Sequence, residues 1–396
     1  MIYNRAVLVL SADEPSEPLV NLFSKRTIAI TRTMFEIFRD NSAASFYHAF
    51  RIFECLLRCY PGDVYEGICG DGLASERMTS LFKYIGYAPV GELLVMIIAL
   101  TPVSRVSQLY ITCTKSRWLF FEHLSQWVFL LKLTDIVVRP ELYCYINNGN
   151  NNINSAEVNA DDHSSAASQV FQELIEKLSL EDIGEVLLQP LGYTTSLLDM
   201  LVNTAIDIQS ETSRRRTSLQ LLCFLLRRAA EPEVMCMVAG GPTNVATPSI
   251  VPNRLHPLRE RIINHLESRM TEIFTIISTF DTTYLPITPT TTSSSNNTTA
   301  SSNPYHICAI DGPIQYSAYR IEQPFTTMRA LLIEYMTLMI ESDEMIALQL
   351  PIPLWRLLME WTIKYAHNSI YHAFFYRLIF AVLRLVCVYI IYMCMI

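Results

Sequence analysis

The chain has 396 residues, 51% of them hydrophobic and only 17% charged, a composition that excludes disorder along its whole length. Lys plus Arg number 30 against 38 Asp plus Glu, a formal charge of −8, so there is no basic surplus for a nucleic-acid partner. Twelve glycines are about half of the usual usage of roughly 7%, few for an enzyme that builds phosphate-binding turns.

In chain order, Ala6–Leu10 is an apolar run closed by Asp13 and Glu14, shorter than the about 7–15 residues of a secretory h-region, so secretion is not expected. Phe46, Phe50, Phe53 and Leu57 then fall on one stripe of 3.6 period. Ala167, Val170, Phe171, Leu174, Ile175 and Leu178 repeat it, as do Leu197, Leu198, Leu201, Val202, Ala205 and Ile206. Leu258, Ile262, Leu266, Met270, Ile273 and Ile277 form the longest stripe. Met328, Leu331, Leu332, Tyr335 and Met339 form another, followed by Leu354, Leu357, Leu358, Trp361 and Tyr365. Leu219–Leu226 is apolar on more than one face and predicts a helix covered on two sides. Prolines at 61, 102, 140 and 190 break the helices at intervals of roughly 40 residues, and Pro351 and Pro353 mark a further break. These features predict an all-α chain built as a HEAT- or armadillo-like helical-repeat solenoid.

Three polar tracts, 147–165, 239–253 and 282–304, interrupt the pattern and are expected to be disordered insertions in a repeat domain spanning 1–383. Residues 384–396 are expected to form an apolar tail. The run Leu378–Ile396 carries one charge, Arg384, near its centre. A spanning helix needs about 20 apolar residues, and a central Arg costs at least ~2.5 kcal/mol on insertion scales. That run supports a second reading of the chain as a tail-anchored membrane protein.

Chemistry-bearing motifs are few. The sequence has no G-x-G-x-x-G, no G-x-x-x-x-G-K-[ST], no H-E-x-x-H and no G-x-S-x-G. Gly62-Asp63-Val64 and Gly70-Asp71-Gly72 carry the Gly-Asp pair of metallophosphatase turns without the His, Arg or Asn-His-Glu elements that would complete two metal sites, and read as turns. His367 and His372 have no nearby carboxylate or cysteine, and read as packing or partner contacts. Arg214-Arg215-Arg216-Thr217-Ser218 reads as the solvated start of a helix, or as a kinase site or acidic-partner patch. None of the ten cysteines forms Cys-x-x-Cys; they read as small buried hydrophobes in a reducing compartment, with Cys55 and Cys59 sharing a helix face. No cofactor, metal or catalytic group is expected.

Seven stretches, taken in order, resemble the SAPS family, the regulatory subunits of type-six serine/threonine protein phosphatases. They are Ala6–Pro15, Ser45–Leu57 leading to Pro61, Leu81–Gly86 with Glu92–Leu94, Trp127 with Leu131, Ser165–Gln169, Phe325–Arg329 and Lys364–His372. The last is similar to "F-F-K-Y-x-W-N-N-F-L-H", departing from it at His367 and Ile370. The resemblance implies a non-catalytic subunit that binds a phosphatase catalytic subunit, alone or with further scaffold subunits, in the cytoplasm or nucleus. The interface candidates are Lys83, Tyr84 and Gly86 in one turn and Lys364, Tyr365, Asn368 and His372 in another.

Overall fold

The computed structural model describes residues 17–38, 45–99, 107–143, 160–239, 246–282, 314–315, 320–321 and 325–395. Helices account for 82% of the structure, in agreement with the all-α reading. The chain divides into two compact units, residues 1–200 with 231–258, and residues 201–230 with 259–396.

The first unit contains α1 (Glu17–Phe35), α2 (Phe46–Cys59), α3 (Pro61–Cys69), α4 (Ala74–Phe82), α5 (Ala88–Ile98), α6 (Ser107–Gln126), α7 (Phe129–Val138) and α8 (Ala160–Leu178). The single-turn helices α9 (Glu185–Leu188) and α10 (Pro190–Tyr193) follow. Start signals are visible in the sequence: Ser45 Oγ accepts from the His48 amide at 3.4 Å, and prolines open α3 and α5 where no intrahelical amide is needed. Packing runs in two rows. In one, α1 lies against α3, α3 against α6 and α6 against α9; in the other, α2 lies against α5, α5 against α8 and α8 against α7.

Gly67 lets α1 and α3 approach closely, since a Cβ there would stand 2.8 Å from the Thr31 Cβ. The Tyr65 hydroxyl donates to the Ile97 carbonyl at 2.9 Å. The buried Arg117 guanidinium donates to the Ile98 carbonyl at 2.9 Å, pairs with Glu181 at 2.8 Å and lies over Phe121. Ser164 ties α8 to the Val137 carbonyl at 2.7 Å.

Two of the expected polar insertions are shorter than their composition suggests. Residues 160–165 belong to α8, with Asp161 and Asp162 in its first turn, where negative charge suits the helix dipole. Residues 233–252 form an antiparallel hairpin of β1 (Glu233–Ala239) and β2 (Ala246–Pro252), paired from Glu233 opposite Pro252 to Ala239 opposite Ala246. Val234, Val238, Ile250 and Val251 carry the β propensity there. Asn253 closes the hairpin by donating to the Glu231 carbonyl at 2.7 Å. Residues 147–159, 240–245 and 283–304 lie outside the described set, as does Ala6–Pro15.

Helix α11 (Ser196–Ile206) belongs to the first unit up to Met200 and to the second from Leu201. The second unit continues with α12 (Thr212–Ala230), α13 (Arg259–Glu267), α14 (Met270–Thr282), α15 (Thr327–Ser342), a 3₁₀ turn at Glu344–Gln349, α16 (Ile352–Lys364) and α17 (Ser369–Met395). Residues 314–315 and 320–321 pair as a minimal β ladder.

Helix α15 is its centre, buried on nearly every side and packed by α12, α14 and α17. As expected, the Leu219–Leu226 segment of α12 is covered on two faces. The Cys223 thiol donates to the Leu331 carbonyl at 3.7 Å, and Arg227 pairs with Glu334 at 3.2 Å. The stripe from Leu258 to Ile277 is buried but not continuous. The Ser268 hydroxyl takes the His265 carbonyl and the Arg269 amide bonds to Leu266, which ends α13 and lets α14 start anew.

Helix α17 runs unbroken from Ser369 to Met395 and so includes residues 384–395 of the expected apolar tail. Arg377 forms a bidentate pair with Glu341, at 2.8 and 2.6 Å, and Arg384 pairs with Glu344 at 3.2 Å. The one charge of the apolar run is thus matched by a carboxylate. Among the described residues, no helix is long and apolar enough to cross a membrane; side chains from 388 onward lie outside the description.

Candidate protein-docking site

The first candidate turn lies between α4 and α5. The Tyr84 amide bonds to Leu81 at 3.0 Å and the Tyr87 amide to Tyr84 at 2.9 Å, so the chain turns tightly through Gly86. The Tyr84 ring sits 4.9 Å from Phe46, which also meets Tyr87 at 5.2 Å and stacks on Phe38 at 5.6 Å. Tyr84 therefore anchors the turn onto α2 and is half-buried. Lys83 and Gly86 share that half-buried state.

The turn is also held from behind. His163 is buried, and its Nε2 lies 3.0 Å from the Phe82 carbonyl, which accepts the proton of that nitrogen. Burial pulls the imidazole down to about 4. The sequence placed His163 in a polar tract; the signal missed was its position ahead of the Ala167–Leu178 stripe.

The second candidate turn joins α16 to α17, and its inner side is an aromatic knot. Phe325 meets Trp361 at 5.8 Å, Tyr365 at 5.0 Å and Tyr371 at 5.0 Å. The buried Arg329 guanidinium lies over Trp361 and Tyr365. The Tyr371 hydroxyl donates to the Leu358 carbonyl, and burial holds its proton on. Two stretches singled out by the family resemblance, Phe325–Arg329 and Lys364–His372, meet in this knot.

The candidates here separate cleanly. Tyr365 is 0% exposed and belongs to the core, so its assignment to an interface is corrected. Asn368 Oδ1 accepts from the Tyr371 amide at 2.9 Å, the bond of an N-cap, so its role is to start α17. His372 is half-buried between the rings of Tyr371 and Tyr376. Lys364 is exposed, with its Nζ 5.5 Å from the Tyr365 ring.

Around Lys364 the turn exposes His367, read from the sequence as a packing or partner contact, and two side chains that sequence reasoning missed: Ile363 is 82% exposed and Ile370 is 59% exposed. The signal was there, because Ile363 lies off the core stripe of Leu354, Leu358, Trp361 and Tyr365. Among the described residues, nothing covers the Ile363 side chain on this side of the helix. The turn thus exposes two aliphatic groups, a cation and an imidazole within eight residues, a chemistry suited to an apolar protein surface rimmed by carboxylates.

The remaining motifs resolve into structure. Arg215 is 1% exposed and donates to the Ala205 carbonyl at 3.1 Å, and Ser218 is buried, whereas Arg216 is exposed and Arg214 and Thr217 are half-buried, so the run opens α12 with part of its side chains in solvent. Asp71 pairs with Arg77 at 2.6 Å through both oxygens and accepts from the Leu73 amide at 3.2 Å, the turn role expected of it. Its hydrogen bonds to Arg77 hold that carboxyl far below the usual range. Cys55, Cys69 and Cys223 are buried as expected, but Cys59 is only half-buried and Cys387 is exposed. Among the described residues, no group of three or more His, Cys, Asp or Glu could hold a metal ion. Compared with protein-family models, curated proteins and solved structures, the chain matches none.

Proposed function

We propose that the chain is a regulatory or scaffold subunit that binds a serine/threonine protein phosphatase catalytic subunit and directs or modulates its activity. The observation that carries this reading is the knot at the α16–α17 turn. Two stretches resembling the SAPS family, separated by more than thirty residues, pack on each other there and leave Ile363, Lys364, His367 and Ile370 facing solvent. Such a patch binds by burying aliphatic groups and pairing a cation, and it needs no reacting group of its own. The partner would supply the hydrolytic metals. The two rows of helices in the first unit support a HEAT- or armadillo-like array, whose extended surface suits a large partner. The proposed setting is the cytoplasm or nucleus. The test is retention of a phosphatase catalytic subunit on the immobilised full chain, identified by its peptides. Its absence from the bound fraction of a folded bait would overturn the reading.

A second reading, a tail-anchored membrane protein, draws on the outer face of α17, where Tyr376, Phe380 and Leu383 are exposed along one stripe. Deleting 378–396 would then release the chain from the membrane fraction. A chain that stays in the supernatant with that segment intact removes this reading.

A further inference from the structure

We infer that the outer edge of strand β1 is a self-association site, where a second copy of this chain adds its own β1, antiparallel, about a two-fold axis at position 236. The bond at the base of the hairpin fixes which backbone groups face outward. The Asn253 amide donates to the Pro232 carbonyl at 3.0 Å, so residues 232 and 253 form a hydrogen-bonded pair of the ladder. In an antiparallel ladder such pairs alternate with non-hydrogen-bonded ones. Glu233 opposite Pro252, Met235 opposite Ile250 and Met237 opposite Pro248 are then pairs of the second kind. The N–H and C=O groups of Glu233, Met235, Met237 and Ala239 therefore point away from β2, and the backbone groups of residues 246, 248, 250 and 252 point away from β1.

The two outer edges differ. On β2, Pro248 and Pro252 have no N–H to offer, which blunts that edge against a further strand. On β1 every outward position keeps its donor and acceptor, and among the described residues no backbone hydrogen bond reaches them. Such an edge is a template for an added strand. Its sequence suits a second copy of itself, because Val234-Met235-Cys236-Met237-Val238 reads the same in both directions. Two copies laid antiparallel about position 236 bring Met235 opposite Met237, Val234 opposite Val238 and Glu233 opposite Ala239. Outward-facing residues then meet outward-facing ones and exchange hydrogen bonds, and no carboxylate opposes another. The contact is isologous and closes as a dimer. It turns a two-stranded hairpin, marginal alone, into a four-stranded sheet. It also widens the apolar face on which Met235 and Ile250, 73% and 63% exposed, stand opposite each other.

The test is sedimentation equilibrium of the purified full chain, under reducing conditions and across a concentration series. The expected result is a monomer–dimer equilibrium. Met235→Pro removes an outward donor without touching the β1–β2 ladder. By symmetry it deletes two hydrogen bonds of the dimer, so the dissociation constant should rise on the order of tenfold or more. Ile250→Pro, the equivalent change on the β2 edge, should leave the equilibrium unchanged. In the dimer, position 236 stands opposite itself in a non-hydrogen-bonded pair, with Cα atoms about 4.5 Å apart and within disulfide reach. Mild oxidation with diamide should therefore link Cys236 of the two copies, as mapped by peptide mass. A chain that stays monomeric throughout, a dimer indifferent to Met235→Pro, one weakened equally by Ile250→Pro, or an intercopy disulfide mapped only to other cysteines would each overturn the proposal.

Discussion

Arg329 lies over Trp361, with its guanidinium carbon 5.7 Å from the indole centroid and the same distance from the Tyr365 ring. A buried cation between two aromatic faces joins the start of α15 to the end of α16, so the exposed patch beside Tyr365 rests on this contact. Removing the indole should be severe: Trp361→Ala is expected to cost about 3–5 kcal/mol. Arg329→Met keeps the volume, trading a cation–π contact for a smaller desolvation cost, and should cost about 1 kcal/mol. Urea unfolding followed by circular dichroism would rank the two, and the reverse order would refute the packing role given to Trp361.

His163 makes the first unit sensitive to acid. Its pKa is about 4 in the fold against 6.5 in an unfolded chain. Below pH 6.5 the unfolded state takes up a proton that the folded state refuses, so stability falls between about pH 6.5 and 4 and is complete above that window. Asp71, with its carboxyl lowered by Arg77, acts in the same direction but only below its ordinary value of 3.8. His163→Asn should flatten the limb between pH 4 and 6.5 and leave the more acidic limb in place. An unchanged upper limb in pH-dependent melting would contradict the burial of a neutral imidazole.

Two helical glycines should respond oppositely to alanine. Alanine gains about 1 kcal/mol of helix propensity at either site. At Gly67 the new methyl would meet Thr31 Cβ at 2.8 Å and the Ile28 carbonyl at 3.1 Å, an overpacking that costs about 1–3 kcal/mol. At Gly91 the nearest atom is a Val170 methyl at 3.2 Å, which can give way. Thermal melts should show Gly67→Ala destabilised and Gly91→Ala neutral or slightly stabilised.

Val128 carries the strained backbone of the first unit, a β-branched residue at φ 56° between α6 and α7. That conformation costs an ordinary residue about 1–2 kcal/mol, and Asn tolerates it. Because Val128 is exposed, little burial is lost on replacement. Val128→Asn should raise stability by about 1 kcal/mol, and a lowered melting temperature would show that the valine side chain has a packing role.

The helices were legible because their apolar stripes have a clean period: every residue of the Ala167–Leu178 stripe is buried. The hairpin was not, because a Gly, Pro and Thr composition marks the connection between two strands and hides the β-branched residues flanking it. In the candidate site, the identity of the turn could be read but not the direction of its side chains. Tyr365 and Lys364 are adjacent, yet one closes the core stripe and the other faces solvent. Ile363 was passed over because an aliphatic residue next to a core helix reads as core until its angular position is worked out.

The central claim concerns the patch beside the knot, and direct binding of the purified chain to a purified serine/threonine phosphatase catalytic subunit tests it best. Calorimetry should detect a complex with the wild-type chain. Replacing Ile363 with Asp and Lys364 with Glu should weaken it on the order of tenfold or more while circular dichroism stays unchanged, since both side chains are exposed. A folded wild-type chain that binds no catalytic subunit would contradict the function, and binding indifferent to both substitutions would contradict the site.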